Sequence, residues 1–322
     1  MERQLARELC ALGFEITLLT RDTQPLSGEP FTHVTYQRPS SKDWKSWLLA
    51  GRIASVLREI DRARPIALLH AFMLGPPAYY AARSGKPYLI THHDMRIDLG
   101  SGRIRRALSG ARHAIALNAA QAELFRPLVP VTVIPNGVGG SIAGAAVPDL
   151  PPGFLLFAGR FEAAKGVFLL LDAYERVPAA SRPTLVLAGD GSAALEVRTR
   201  ASRLGAIVLP WLAHDVLLAT LARASALVMP SSSEASPLLL LEAYRLGVPA
   251  IVHDLPMIAA DLRDASGAPL ARLVPVGDVE AWSLALLSTA DPSSTARASV
   301  AARARTWPAV AARYATIYRS LA

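Results

Sequence analysis

Phe154-Leu155-Leu156-Phe157-Ala158-Gly159-Arg160-Phe161-Glu162-Ala163-Ala164-Lys165-Gly166-Val167-Phe168-Leu169-Leu170-Leu171 carries the pattern that sets the fold. Phe154–Ala158 is a short, continuous apolar run, as expected of a strand covered on both faces. Gly159 lets the backbone turn, and from Lys165 to Val177 the apolar spacing becomes helical. The same alternation extends in both directions. Upstream strand candidates are Glu15–Leu19, Val34–Tyr36, Ile66–His70, Tyr88–Thr91, His113–Leu117 and Val131–Ile134. Downstream they are Thr184–Ala188, Ala206–Leu209, Ala226–Met229, Ala250–Val252 and Arg272–Val274. Helical spacing occupies Trp44–Ile60, Asp215–Ala224, Leu238–Leu246 and Val279–Thr289. Strands separated by helices predict an α/β chain with doubly wound parallel sheets. Gly139–Pro152 is rich in turn formers and has no periodicity, so it reads as a hinge. Two such domains facing a cleft are expected: residues 1–140, a linker over 141–152, and residues 153–306.

The 322 residues suit two domains, and a single cysteine, Cys10, cannot form an internal disulfide. A disulfide-built secreted scaffold is thereby excluded, and a reducing cytoplasm is the expected location. The most apolar stretches are broken early by Arg160, Arg223 and Glu242, so no run reaches the roughly 20 apolar residues of a membrane span. A soluble protein is expected. Net charge is +8, and residues 1–150 hold 18 basic against 12 acidic groups. That excess points to an anionic partner for the front half. Arg96, Arg103, Arg105, Arg106 and Arg112 cluster without zinc ligands or an aromatic RNA-binding motif, which argues against nucleic acid. Segment 42–52 opens with Trp44 and Trp47 among lysines, a composition that suits an anionic membrane surface. The competing reading buries those tryptophans in the domain core.

In doubly wound sheets, ligands bind in the loops at the carboxyl ends of strands. Two such loops carry chemistry. Arg160 and Lys165 leave one strand end and the following helix start, where a planar fork and a point charge suit a diphosphate. Lysine is rare here: the only others are Lys42, Lys45 and Lys86. The second loop is Met229-Pro230-Ser231-Ser232-Ser233-Glu234-Ala235-Ser236-Pro237-Leu238-Leu239-Leu240-Leu241-Glu242. A helix starting at Pro237 directs the free N–H groups of Leu238 and Leu239 into the loop, an anion site. Glu242, about one and a half turns inside and set among leucines, is costly to bury unless hydrogen-bond donors meet it. Ribose hydroxyls are such donors. Against these readings stands the plain one, of solvated cations, a capping Glu234 and an ordinary Glu242.

Taken together, the motifs resemble glycosyltransferase family 4. The matching pieces are Gly159-Arg160 with Lys165-Gly166, Leu187-Ala188-Gly189-Asp190-Gly191, Pro230-Ser231 with Glu234 and Glu242, and Leu246-Gly247-Val248-Pro249. Val133-Ile134-Pro135-Asn136-Gly137-Val138, Thr91-His92-His93-Asp94 and Trp307 with Tyr314 and Tyr318 complete the match, which runs from residue 2 to residue 320. The resemblance implies the GT-B fold of two Rossmann-like domains, with residues 307–322 a helix packing back on the first. It implies a retaining, metal-independent transferase that takes a nucleotide-diphosphate sugar and needs no cofactor. Arg160 and Lys165 are then the diphosphate ligands and Glu242 the ribose ligand. Glu234 meets the transferred sugar, beside the backbone of Ala235 and Ser236, and Gly159, Gly189, Leu238 and Leu239 line the donor site. His93 lies near donor sugar and acceptor, and the acceptor is a glycan or lipid-linked molecule. No Asp-x-Asp occurs, in keeping with a metal-free reaction. Glu234 is read as orienting sugar hydroxyls, although a nucleophilic role is open to it.

Other histidines are weighed separately. His92 is expected to be structural, and His33, His113 and His214 to be structural or surface; His70, ending the preceding strand, is open between a structural role and a place in the same cleft, and His253 is undecided. Gly189-Asp190-Gly191 also fits a dinucleotide fingerprint, but the strand Ile207–Leu209 ends without the acidic residue that reading needs. An epimerase or phosphorylase of similar fold, and a non-catalytic nucleotide-sugar binder, remain as alternatives. Family members generally begin with a strand and Gly-rich turn ahead of the helix matched by Glu2–Leu12. Met1 is therefore expected to be an internal methionine, with about twenty residues upstream.

Overall fold

The computed structural model describes residues 1–20, 26, 28–36, 50–139, 142, 144–288 and 291–322. Residues 42–49 of the expected membrane segment, with Trp44 and Trp47, lie outside the described residues, as do 141 and 143 of the linker. Two compact units make up the chain: Met1–Gly137 with Trp307–Ala322, and Val138–Thr306.

The first unit contains β1 (Thr17–Thr20), β2 (Thr32–Thr35), β3 (Leu69–Ala71), β4 (Tyr88–Thr91), β5 (His113–Ala116) and β6 (Val131–Val133). Strands β3-β4-β5-β6 form one parallel sheet and β1-β2 a separate parallel pair. Strand β3 starts three residues later than its apolar run: the Ile66 N–H donates to Asp61 Oδ1, and pairing with β4 begins only at Leu69. Ile90, Ile115, Leu108 and Phe125 are fully buried around the four-stranded sheet. The helix Trp307–Leu321 packs on Glu2–Ala11, and Gly137 lies so close to Trp307 that a Cβ would stand 2.8 Å from the indole.

The second unit holds β7 (Leu155–Ala158), β8 (Leu185–Ala188), β9 (Ile207–Leu209), β10 (Ala226–Met229), β11 (Ala250–His253) and β12 (Arg272–Val274). Their order is β12-β11-β10-β7-β8-β9, all parallel. Chain progression runs one way from β7 to β9 and the other way from β10 to β12. The sheet therefore has its topological switch point between β7 and β10, where a crevice opens outside the carboxyl ends. Leu155, Leu156, Val228, Ile251 and Trp282 are buried in the cores on the two faces of this sheet. An ion pair of the buried Asp261 with the partly exposed Arg305 closes the unit near its end, and Val138 bridges to Thr306.

Two helix starts differ from expectation. Ala163–Lys165 is a separate turn of 3-10 helix, and the α-helix runs from Val167 to Arg176 because Gly166 sits at φ 71°. Pro237 is the N-cap of the helix Leu238–Leu246 rather than its first residue, since its ψ of 91° is not helical.

Candidate active site

The loops after β7 and β10 flank the switch point, and the structure laces them together. Gly166 is forced by its neighbour: besides its left-handed backbone, a Cβ there would lie 1.9 Å from the Pro230 carbonyl oxygen. Only glycine permits that approach. Beside it, the Ser232 N–H donates to the Ala164 carbonyl at 3.0 Å. Lys165 Nζ then donates to Glu234 Oε1 at 2.7 Å, with both side chains largely buried. A third loop, after β8, joins from the other side. The Gly159 N–H donates to Ala188 O and the Phe161 N–H to Asp190 O, while the Cβ position of Gly189 is occupied by the Gly159 carbonyl at 2.0 Å. The glycines of Gly189-Asp190-Gly191 thus serve loop packing, with no dinucleotide needed to explain them.

Arg160 stays at the surface and donates to Glu162 Oε1 at 2.9 Å. Behind the loops, the helix Leu238–Leu246 points its N-terminus at the β10 loop, and the N–H groups of Leu238 and Leu239 lie in the first turn, where no helical carbonyl can accept them. Ala235 and Ser236 are buried just ahead of it. Glu242 is 6% exposed, and His214 Nε2 donates to its Oε1 at 2.7 Å. That bond raises the His214 pKa above its ordinary value. His253, at the end of β11, is buried and fixes the β10 loop. Its Nδ1 faces the Ser231 carbonyl at 3.0 Å and its Nε2 the Gly277 N–H at 3.4 Å. A carbonyl can only accept and an N–H only donate, so His253 is neutral with its proton on Nδ1. Burial lowers its pKa accordingly.

Comparison with known proteins follows from this geometry. The model for glycosyl transferases group 1 matches residues 145–306, and that for glycosyltransferase family 4 matches residues 3–139. The chain belongs to the group 1 glycosyl transferases. Among relatives of this glycosyl transferase, the glycogen synthase of Mycobacterium tuberculosis is 28% identical, the match covering 98% of this chain and 88% of that protein. Sucrose-phosphate synthase from Thermosynechococcus elongatus has the same fold, at a TM-score of 0.81 and 19% identity over 99% of this chain and 92% of that one. HepE from Anabaena, solved with UDP and glucose, superposes at 0.74 with 17% identity over 100% and 96%. The α/β fold of this glycosyl transferase is thus that of the GT-B enzymes.

Of the residues singled out in its sequence, Gly159, Lys165, Gly189, Glu234, Ala235, Ser236, Leu238 and Leu239 converge on the laced loops of the second unit. Arg160 stands beside them on its own carboxylate, and Glu242 lies inside the adjoining helix. His93 belongs to the first unit. Both its ring nitrogens are buried without a hydrogen-bond partner among the described residues, and burial pushes its pKa down to about 3. The ring is therefore neutral, with one donor and one acceptor free. Its neighbour His92 is spent on the Leu74 N–H and the Arg96 carbonyl. His214 was not expected at the site; it opens the helix His214–Leu221, and no local sequence signal ties it to Glu242. No helix is long and apolar enough to cross a membrane among the described residues.

Proposed function

We propose that the chain transfers a sugar from a nucleotide-diphosphate sugar to a glycan or lipid-linked acceptor, with retention at the anomeric carbon and without a metal. The observation that carries this reading is the 2.7 Å Lys165–Glu234 pair on the two loops that flank the switch point. One cation and one carboxylate are held there side by side, beside a helix N-terminus.

An ammonium has three donors, so Lys165 can keep Glu234 while turning another N–H to a phosphate oxygen. The Leu238 and Leu239 N–H groups face the same anion, and Arg160 adds a planar fork once it exchanges Glu162 for phosphate. As the glycosidic bond breaks, negative charge grows on the diphosphate, and these preorganised donors stabilise it more than they stabilise the bound substrate. Glu242 accepts from the ribose hydroxyls. Glu234, with one oxygen on Lys165, offers the other to a sugar hydroxyl and so orients the sugar. His93, neutral and unpartnered, suits a hydroxyl that both donates and accepts.

Lys165→Ala is expected to lower turnover about a hundredfold or more, the usual cost of one such donor, with the fold intact by circular dichroism. Near-normal turnover overturns the assignment. HepE was solved with UDP and glucose, so UDP-sugars come first in a donor screen read by thermal shift and then by UDP release. Donor binding without transfer to any acceptor would favour a non-catalytic binder. Isolation of a covalent sugar adduct on Glu234 would replace orientation with nucleophilic catalysis.

A further inference from the structure

A ladder of rings runs through the first unit and ends at His93. Phe72 stacks on His93 with centroids 5.9 Å apart and planes within 14°. Phe72 also packs against His70, with centroids 3.9 Å apart and planes tilted by 31°. His70 is in turn fixed at both nitrogens: Nδ1 bonds the Tyr318 hydroxyl at 2.5 Å and Nε2 the Thr91 hydroxyl at 2.8 Å. Tyr314 contacts Thr91 and faces the His70 ring at 5.8 Å. Three elements thereby meet around one imidazole: the end of β3, the end of β4 and the helix Trp307–Leu321.

The contrast between the two histidines matters. His70 has both nitrogens occupied, and burial pushes its pKa down to about 3; it is a neutral structural tile. His93 has neither nitrogen bonded among the described residues, so no hydrogen bond seen there sets the direction of its donor and acceptor. Turning the ring about its side-chain bonds would re-aim both. What faces the plane of His93 is Phe72, and what faces the plane of Phe72 is the doubly tethered His70.

We propose that Phe72 is a positioning residue that holds the imidazole plane of His93 toward its sugar hydroxyl, and that Tyr318 and Thr91 hold Phe72 through His70. This rests on the reading of His93 as a substrate contact. The terminal helix is thereby tied to the aim of one active-site ring.

The test uses the full chain with ring-labelled histidine. The His93 Hε1 signal is assigned from its disappearance in His93→Gln. The ring current of a stacked aromatic shifts nearby protons, so in Phe72→Leu this signal is expected to move, while Phe72→Tyr keeps the wild-type position. Tyr318→Phe, which cuts the tether but keeps the ring, is expected to broaden the same signal. An unmoved His93 signal in Phe72→Leu overturns the proposal whether or not the enzyme turns over. With UDP-glucose as probe and UDP release as readout, Phe72→Leu is expected to lower kcat about ten- to a hundredfold, the scale of a misaligned catalytic contact, while KM stays within about threefold. Placed in the His93→Gln background, Phe72→Leu is expected to lower kcat no further; an independent, multiplying loss overturns the positioning role. If His93→Gln itself leaves kcat unchanged, the reading of His93 falls, and the ring-shift result still decides what Phe72 does.

Discussion

His214 changes how the Glu242 carboxylate is to be understood. A nearly buried carboxylate needs donors, and ribose hydroxyls are one source; the structure supplies another in His214 Nε2, 2.7 Å away. With one Glu242 oxygen held by imidazole, the ribose contact proposed above falls to the other. The hydrogen bond to Glu242 raises the His214 pKa, against the smaller opposing effect of desolvation. A histidine with a raised folded pKa stabilises the protein fully below its unfolded value near 6.5, and the gain disappears as pH rises through the folded value. His214→Gln is therefore expected to be less stable than the wild type at pH 5.5, with the gap closing by pH 9. The gap stays below about 1 kcal/mol because the imidazole is more than half exposed and screened. Paired urea melts at the two pH values check this, and a gap that widens at pH 9 would contradict it. Nothing local in the sequence marks this pair. The partners are 28 residues apart on different helices, and a histidine at a helix start reads as surface until its neighbour is known.

At the level of elements, legibility follows the range of the interaction. Strands such as Leu155–Ala158, Leu185–Ala188 and Ala226–Met229 were plain from their apolar runs, because a buried parallel strand needs nothing but apolar side chains on both faces. The Gly–Arg and Ser–Glu loops were legible as candidate sites for the same local reason, since each joins a strand end to a helix start. Their mutual lacing was not. Gly166 stood in the sequence only as part of the Lys165-Gly166 motif; its constraint comes from the Pro230 carbonyl, far along the chain. This separates two glycines of equal backbone conformation. Gly205 ends the helix Ala194–Leu204 at φ 75° with open space at its Cβ position, whereas Gly166 at φ 71° meets backbone at 1.9 Å. Gly205→Ala is expected to cost about 1 kcal/mol, the left-handed penalty alone. Gly166→Ala adds a backbone clash that no side-chain rotation relieves, for about 3 kcal/mol or more in total. It should also part Ser232 from Ala164 and loosen the Lys165–Glu234 pair, so donor affinity falls with stability. Denaturant melts of the two variants give the comparison; equal losses would mean the loops can move apart without cost.

On the scale of the whole molecule, the chain returns to its first unit after completing its second, and that return places a demand on the terminal helix. Ala311 and Ala315 are fully buried, Tyr314 is 3% exposed and Tyr318 8%. On the opposing helix, Leu5 and Leu9 are each 2% exposed. Fully burying one large apolar side chain contributes about 1.5–3 kcal/mol, so a few of these together rival the 5–15 kcal/mol that typically holds a domain. Removing residues 307–322 also takes away the Tyr318 and Tyr314 hydroxyls from His70 and Thr91, leaving polar groups in the first unit without their partners. The second unit loses no strand or core residue by that cut: β7, β8 and β10 are paired among themselves and with strands of their own unit. Truncation after Thr306 is therefore expected to collapse amide protection in Glu2–Ala11, Leu69–Ala71 and Tyr88–Thr91, while Leu155–Ala158, Leu185–Ala188 and Ala226–Met229 keep theirs. Hydrogen exchange read by mass spectrometry on the truncated and full chains distinguishes the outcomes. Uniform loss across both units would show that the terminal helix supports the molecule as a single cooperative body, and unchanged protection in Glu2–Ala11 would show that its contacts add little to the first unit.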